Sequence, residues 1–154
     1  MGTMSSTTAT DPRERLRSAG LRVTAPRLAV LRELDRLAHA DADTLAGAVR
    51  NHHHSVSTQA VYDVLRVLTE RGLTRRIEPA GSPARYENRV GDNHHHVVCR
   101  GCGAIADVEC VVGAAPCLDP ADTNGFVVDE AEVVFWGSCP ECRANPHTST
   151  EKEQ

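Results

Sequence analysis

Two Cys-x-x-Cys pairs, Cys99-Arg-Gly-Cys102 and Cys139-Pro-Glu-Cys142, constrain this chain more than any other feature. Four thiolates held in two knuckles are the tetrahedral donor set that structural zinc prefers, and a closed four-sulfur site leaves no open position for chemistry. Gly101 and Pro140 lie inside the knuckles, where the backbone must turn tightly. The 36 residues between the pairs (103–138) are too many for a compact zinc ribbon, so a small domain has to fold between them. Metal binding at such a site contributes ~10–16 kcal/mol and is coupled to folding. The bland alternative is four unrelated buried cysteines. All six cysteines follow residue 98. The N-terminus, MGTMSSTTATDP, lacks the basic start and apolar run of a secretory signal. No stretch approaches the ~20 apolar residues of a membrane span. The expectation is a cytoplasmic protein without a membrane partner, in which cysteines serve metal or redox chemistry rather than disulfides.

Charge divides the chain at the same place. Residues 1–90 hold 14 Arg against 10 Asp and Glu, whereas residues 91–154 hold 3 Arg and Lys against 11. A basic first half beside an acidic, cysteine-rich second half hints at nucleic-acid contact by the first.

That first half reads as helices followed by a hairpin. Asp11-Pro12 starts a helix, RERLRSAG, that stops at Gly20. Thr24 caps PRLAVLRELDRLAH, with Leu28, Leu31, Leu34 and Leu37 at helical spacing. Asp41 or Asp43 opens a third helix, DTLAGAVRN, and NHHHSV is a loop. Ser57 caps a fourth, TQAVYDVLRVLTERG, which ends at Gly72. TRRIEP and ARYEN flank a Gly/Pro turn and form a basic β-hairpin. This order predicts a winged helix-turn-helix, in which the last helix enters the major groove of double-stranded DNA. Ser57, Thr58, Gln59 and Tyr62 are the candidate base-reading residues, with Arg75, Arg76 and Arg85 near phosphates. The competing reading is an ordinary solvated arginine face with Tyr62 partly in the core.

A second metal site is predicted beside the cysteines. HHHVVC (94–99) reads as a strand, so His94 and His96 share one face and His95 takes the other. Glu87 at the end of the wing and Asp107 in the strand AIADVE supply nearby carboxylates. A mixed N/O set suits Fe(II), Mn(II) or Zn(II). The alternative is a polar strand edge. The other triple histidine, 52–54, reads as a solvated loop. Cys110 and Cys117 read as plain thiols, with a redox pair or extra ligands as the alternatives, and His147 belongs to a polar tail.

GLRVTAPRLAVLREL, SVSTQAVYDVLRVLTERGL, ARYE, HHHVVCRGCG and CPEC, in this order and spacing, resemble the ferric uptake regulator (Fur) family over about residues 12–143. The actinobacterial FurA and peroxide-sensing PerR subgroups look nearest. The resemblance implies an α+β fold: a winged helix-turn-helix (12–88), a hinge (89–93) and an α/β dimerisation domain with a four-cysteine zinc site (94–143). Residues 1–11 and 144–154 are expected to be disordered tails. It further implies a homodimer on an inverted-repeat operator, structural zinc on Cys99, Cys102, Cys139 and Cys142, and a regulatory Fe(II) or Mn(II). Its ligands would be Glu87, His94, His96, Asp107 and His39. Only the resemblance singles out His39; by itself it reads as a helix C-terminal residue whose charge suits the dipole. Tyr62 and Arg22 match positions that touch DNA in relatives. Asn93 and Ala131 stand where some relatives have histidines of a further metal site, Asp63 where some iron regulators have Arg.

The function expected from this is a metal-dependent repressor that senses peroxide through oxidation of His39, His94 or His96, with peroxide-defence genes such as catalase-peroxidase as targets. Asp107, where iron sensors tend to have Glu, favours peroxide; Glu87, where a well-known peroxide sensor has Asp, pulls the other way. Iron-responsive repression is the alternative, zinc-responsive repression a lesser one. A metal-dependent enzyme is remote, since no base-bearing metal motif such as H-E-x-x-H is present.

Overall fold

The computed structural model describes residues 11–90, 94–109, 122–128 and 132–146. Cys110, Cys117, Asn93, Ala131, His147, most of the expected hinge and most of both expected tails lie outside them. The chain divides into two units, residues 1–90 and 91–154.

In the first unit each helix begins where a short polar side chain satisfies a free amide. Asp11 accepts from the Arg13 N–H at the start of α1 (Pro12–Ser18). Thr24 accepts from Arg27 at α2 (Ala25–Arg36). Asp41 accepts from Thr44 at 2.7 Å for α3 (Ala42–His52), and Ser57 from Ala60 at 3.1 Å for α4 (Thr58–Glu70). Two helices end alike. Gly20 and Gly72 adopt φ of 71° and 68°, so that Leu21 N–H reaches Leu16 O and Leu73 N–H reaches Leu68 O, both at 2.9 Å. Only glycine takes that left-handed conformation at no steric cost.

The apolar faces meet in one core. Leu28, Leu31 and Leu34 of α2 pack with Leu45 and Val49 of α3 and with Val61, Leu65 and Leu68 of α4. Two corrections to the sequence reading arise here. The second helix ends at Arg36, so His39 lies beyond it at φ 61° rather than in its last turn. The third helix includes His52, whose Nδ1 lies 2.9 Å from the buried carboxylate of Glu33 instead of in a solvated loop.

The hairpin pairs β2 (Arg75–Ile77) with β3 (Arg85–Glu87), antiparallel. Its turn closes with Ser82 N–H on Pro79 O, and Gly81 supplies the positive φ that the third position requires. A short strand not expected from the sequence, β1 (Ala40–Asp41), joins the outer edge of β3.

In the second unit β4 (His94–Cys99) is the centre of a three-stranded sheet. It pairs antiparallel with β5 (Ile105–Glu109) and parallel with β6 (Val134–Gly137). A five-residue helix, α5 (Pro140–Ala144), follows. Among the described residues no helix is long and apolar enough to cross a membrane.

Candidate metal centres and nucleic-acid surface

The four cysteines converge. Cys99 ends β4, Cys102 follows in the turn, Cys139 caps α5, and Cys142 lies within that helix. Their sulfurs all lie within 4.8 Å of one another, with Cys102 Sγ 3.6 Å from Cys139 Sγ. Sulfurs at ~2.3 Å around a tetrahedral ion stand about 3.8 Å apart, so the cluster has the size zinc needs. None of the four is in a disulfide. The Cys139 N–H donates to Cys99 Sγ at 3.3 Å, and with the Cys102 N–H it holds the Cys99 thiol down at about 6. Contacts with the other three sulfurs push the Cys142 thiol up to about 12. Four thiols this close cannot all ionise unless a cation sits among them, so the donor set fits a dication. The tight knuckle brings Gly101 so near that a Cβ there would lie 3.0 Å from Cys142 Sγ.

The remaining candidate ligands form two partial sets, one in each unit. In the first unit His39 and Glu87 are 8% and 2% exposed, and His39 Nε2 lies 3.1 Å from Glu87 Oε2. Glu87 ends β3, and His39 immediately precedes β1, which pairs with it. A carboxylate this deep needs a partner to remain ionised. In the second unit the strand alternation holds. His94 and His96 are buried on one face, while His95 turns to the other and meets Phe135 edge-on. Asp107 is the register partner of His96. Its Oδ1 lies 3.8 Å from His94 Nε2 and 3.6 Å from His96 Nε2. Those separations are too long for hydrogen bonds. The two imidazoles meet edge-on with ring centroids 4.9 Å apart, and Asp107 lies within ion-pair range of both, so two nitrogens and a carboxylate oxygen of the types that bind a divalent ion are gathered here.

The candidate DNA-reading residues lie on the solvent side of α4. Ser57 and Gln59 are exposed, Thr58 is half-buried, and Tyr62 is 40% exposed rather than part of the core. Tyr62 donates to Asp43 of α3 at 2.5 Å, and that bond raises the phenol above its ordinary value. Gln59 donates to Asp63 at 3.2 Å. Arg22 is exposed. Arg76 is exposed and pairs with Glu78 at 2.5 Å, and Arg75 is half-buried. Arg85 departs from the expectation: its Nη1 donates to the His39 carbonyl at 3.2 Å, and its Nε is buried with no hydrogen-bond partner. The sequence suggests Asp43 only as a possible helix start, and neither its bond to Tyr62 nor this role of Arg85 is visible there. Both act through contacts between residues far apart in the chain, which no local pattern reports.

The sequence profile of the ferric uptake regulator family matches residues 18–133. The chain is 62% identical over 132 residues to the transcriptional regulator FurA of Mycobacterium tuberculosis, covering 86% of this chain and 90% of that protein. It is 32% identical over 135 residues to the peroxide operon regulator of Bacillus subtilis, covering 84% and 89%. The crystal structure of the Vibrio cholerae ferric uptake regulator superposes with a TM-score of 0.64 at 22% identity, covering 84% of this chain and all of that one, which supports a shared fold.

Proposed function

The chain belongs to the ferric uptake regulator family, whose members are metal-dependent transcriptional regulators, and on that premise we propose that it is a DNA-binding repressor switched by Fe(II) or Mn(II). The observation that carries this reading is the burial of His39, Glu87, His94 and His96, together with a complete four-sulfur cluster. Cys99, Cys102, Cys139 and Cys142 would hold zinc, which keeps the second unit folded. His39 and Glu87 of the first unit, and His94, His96 and Asp107 of the second, each fall short of a coordination shell taken alone. As the family resemblance implies, the five residues would supply a mixed N/O set of the kind that suits Fe(II) or Mn(II). When bound, the ion would supply a charge toward which donors of both units orient.

The four helices and the β1-β3-β2 hairpin sheet support the winged-helix reading of the first unit. Ser57, Thr58, Gln59 and Tyr62 would face base edges in the major groove, with Arg22, Arg75 and Arg76 toward phosphates. As a homodimer the chain would present two such helices to half-sites about one turn, ~34 Å, or a multiple apart. Metal then promotes operator binding to the extent that it prefers the DNA-competent arrangement.

Metal occupancy itself is the signal that the comparisons favour, because the 62% identical relative bears the name FurA and the peroxide regulator is more distant. Peroxide sensing is the second reading, favoured by an aspartate at Asp107, with oxidation of His39, His94 or His96 as its means of release. Operator binding measured against free Mn(II) tests the first. His39→Ala and His96→Ala should each need at least tenfold more metal; wild-type binding that persists in strong chelator contradicts it. A brief peroxide pulse on the Fe(II)-loaded protein separates the two. Persistent binding with unmodified histidines supports an occupancy sensor, and release with oxygen added to a ligand histidine supports a peroxide sensor.

A further inference from the structure

Arg85 stands on the wing, where an arginine is expected to meet phosphate, yet its side chain turns inward. Nη1 donates to the His39 carbonyl at 3.2 Å, and Nε is buried without a partner. Across the β1–β3 ladder Arg85 is the register partner of Asp41, and Tyr86 of Ala40. His39 itself adopts φ 61°, a left-handed conformation uncommon for any residue but glycine. Such a conformation is strained for a residue with a side chain and persists only where its surroundings hold it. Two hydrogen bonds flank it. The Ala40 N–H bonds to Leu37 O at 3.2 Å, which closes the turn, and the Arg85 guanidinium fixes the carbonyl on the other side. Asp41 adds a tether, since it caps α3 through Thr44 and faces the charge of Arg85.

We propose that Arg85 is a positioning residue for the regulatory metal: by holding the His39 carbonyl it sets the direction of the His39 imidazole and ties the ligand turn to the wing strand that carries Glu87. The inference rests on the metal reading above. Arg85 touches no metal; it acts on His39 and, through β3, on the spacing of His39 and Glu87. Groups behind metal ligands commonly change affinity 10–100-fold when removed. Arginine suits the task because its planar fork stays charged and reaches a carbonyl with fixed geometry.

The test uses the full-length, zinc-loaded protein and Mn(II) as the probe, with Arg85→Leu, Arg85→Lys and His39→Ala beside wild type. Three quantities are read: Mn(II) affinity by titration, amide exchange of residues 39–41 in protein free of Mn(II), and the salt dependence of operator binding at saturating Mn(II). Arg85→Leu should bind Mn(II) about tenfold more weakly. It should exchange faster at residues 39–41 without Mn(II) and keep the wild-type salt slope. Arg85→Lys, which retains charge and one donor, should fall between the two and serves alone if the leucine variant does not fold. Unchanged Mn(II) affinity in the folded variants overturns the proposal. So does a salt slope reduced by about 0.9 with metal affinity intact, the signature of a lost phosphate contact. Failure of the underlying metal reading looks different: His39→Ala then binds Mn(II) as well as wild type.

Discussion

Removing the ion from the four cysteines should unfold the second unit and leave the first intact. Among the described residues the buried apolar side chains of the second unit are Val98 and Cys99. Full burial of a large apolar side chain contributes ~1.5–3 kcal/mol. A handful of such terms is small beside the ~10–16 kcal/mol that structural zinc contributes in comparable small sites. The first unit has a different balance. Its core runs from Leu16 to Leu68, with Leu31, Leu45, Val49, Val61 and Leu68 fully buried, and it contains no cysteine. The perturbation is a strong chelator, or Cys102→Ser with Cys142→Ser, and the assay is peptide-resolved hydrogen exchange. Protection should vanish across 94–99, 105–109 and 134–144 while α2, α3 and α4 keep theirs. Simultaneous loss in both units would refute the reasoning, as would a second unit that stays protected without metal.

Further outcomes follow from particular contacts. Leu65→Ala, at a position 1% exposed, should destabilise the first unit by ~2–5 kcal/mol in chemical denaturation, since the core cannot close fully over the gap. Asp41→Ala should cost about 1 kcal/mol as a lost helix cap. The Thr44 N–H first, then the Thr44 hydroxyl and the Arg85 charge, hold the Asp41 carboxyl below its ordinary 3.8 against a smaller opposing effect of burial. Its contribution is thus present above pH 3.8 and lost as pH falls through the lowered value, so denaturation of wild type and variant should converge in acid. Asp43→Ala should bring the Tyr62 phenol back toward 10.0, read by ultraviolet titration in a Tyr86→Phe background. Because the Tyr62 pKa is raised on folding, this bond stabilises below pH 10 and is lost as pH rises through the raised value. Gly101→Ala should weaken zinc binding, because the new Cβ would press on Cys142 Sγ from 3.0 Å while the ion fixes that sulfur.

Much of this fold is legible in the sequence because its signals are local. The caps at Asp11, Thr24 and Ser57, the stops at Gly20 and Gly72, and the leucine spacing of α2 are each set within one or two turns of helix. The alternation of His94, His95 and His96 follows from strand geometry alone. What escaped depends on distant partners. Val134–Gly137 is too short to show a period, and it becomes a strand by pairing in parallel with His96–Cys99. Pro140–Ala144 is barely more than one helical turn. Ala40–Asp41 is a strand only because Arg85 and Tyr86 lie beside it. His39 carries no local mark of a ligand. Its burial and its position beside Glu87 are products of that same pairing, and the resemblance to a family was needed to single it out.

On the function proposed above, His94–Cys102 would serve two ions with separate donors and separate roles. X-ray absorption at the zinc and manganese edges of one sample, loaded with both metals, tests it most directly. The zinc shell should hold four sulfurs at ~2.3 Å. The manganese shell should hold nitrogen and oxygen only and lose imidazole in His96→Ala while the zinc spectrum is unchanged. Sulfur in the manganese shell, or imidazole in the zinc shell, would contradict it.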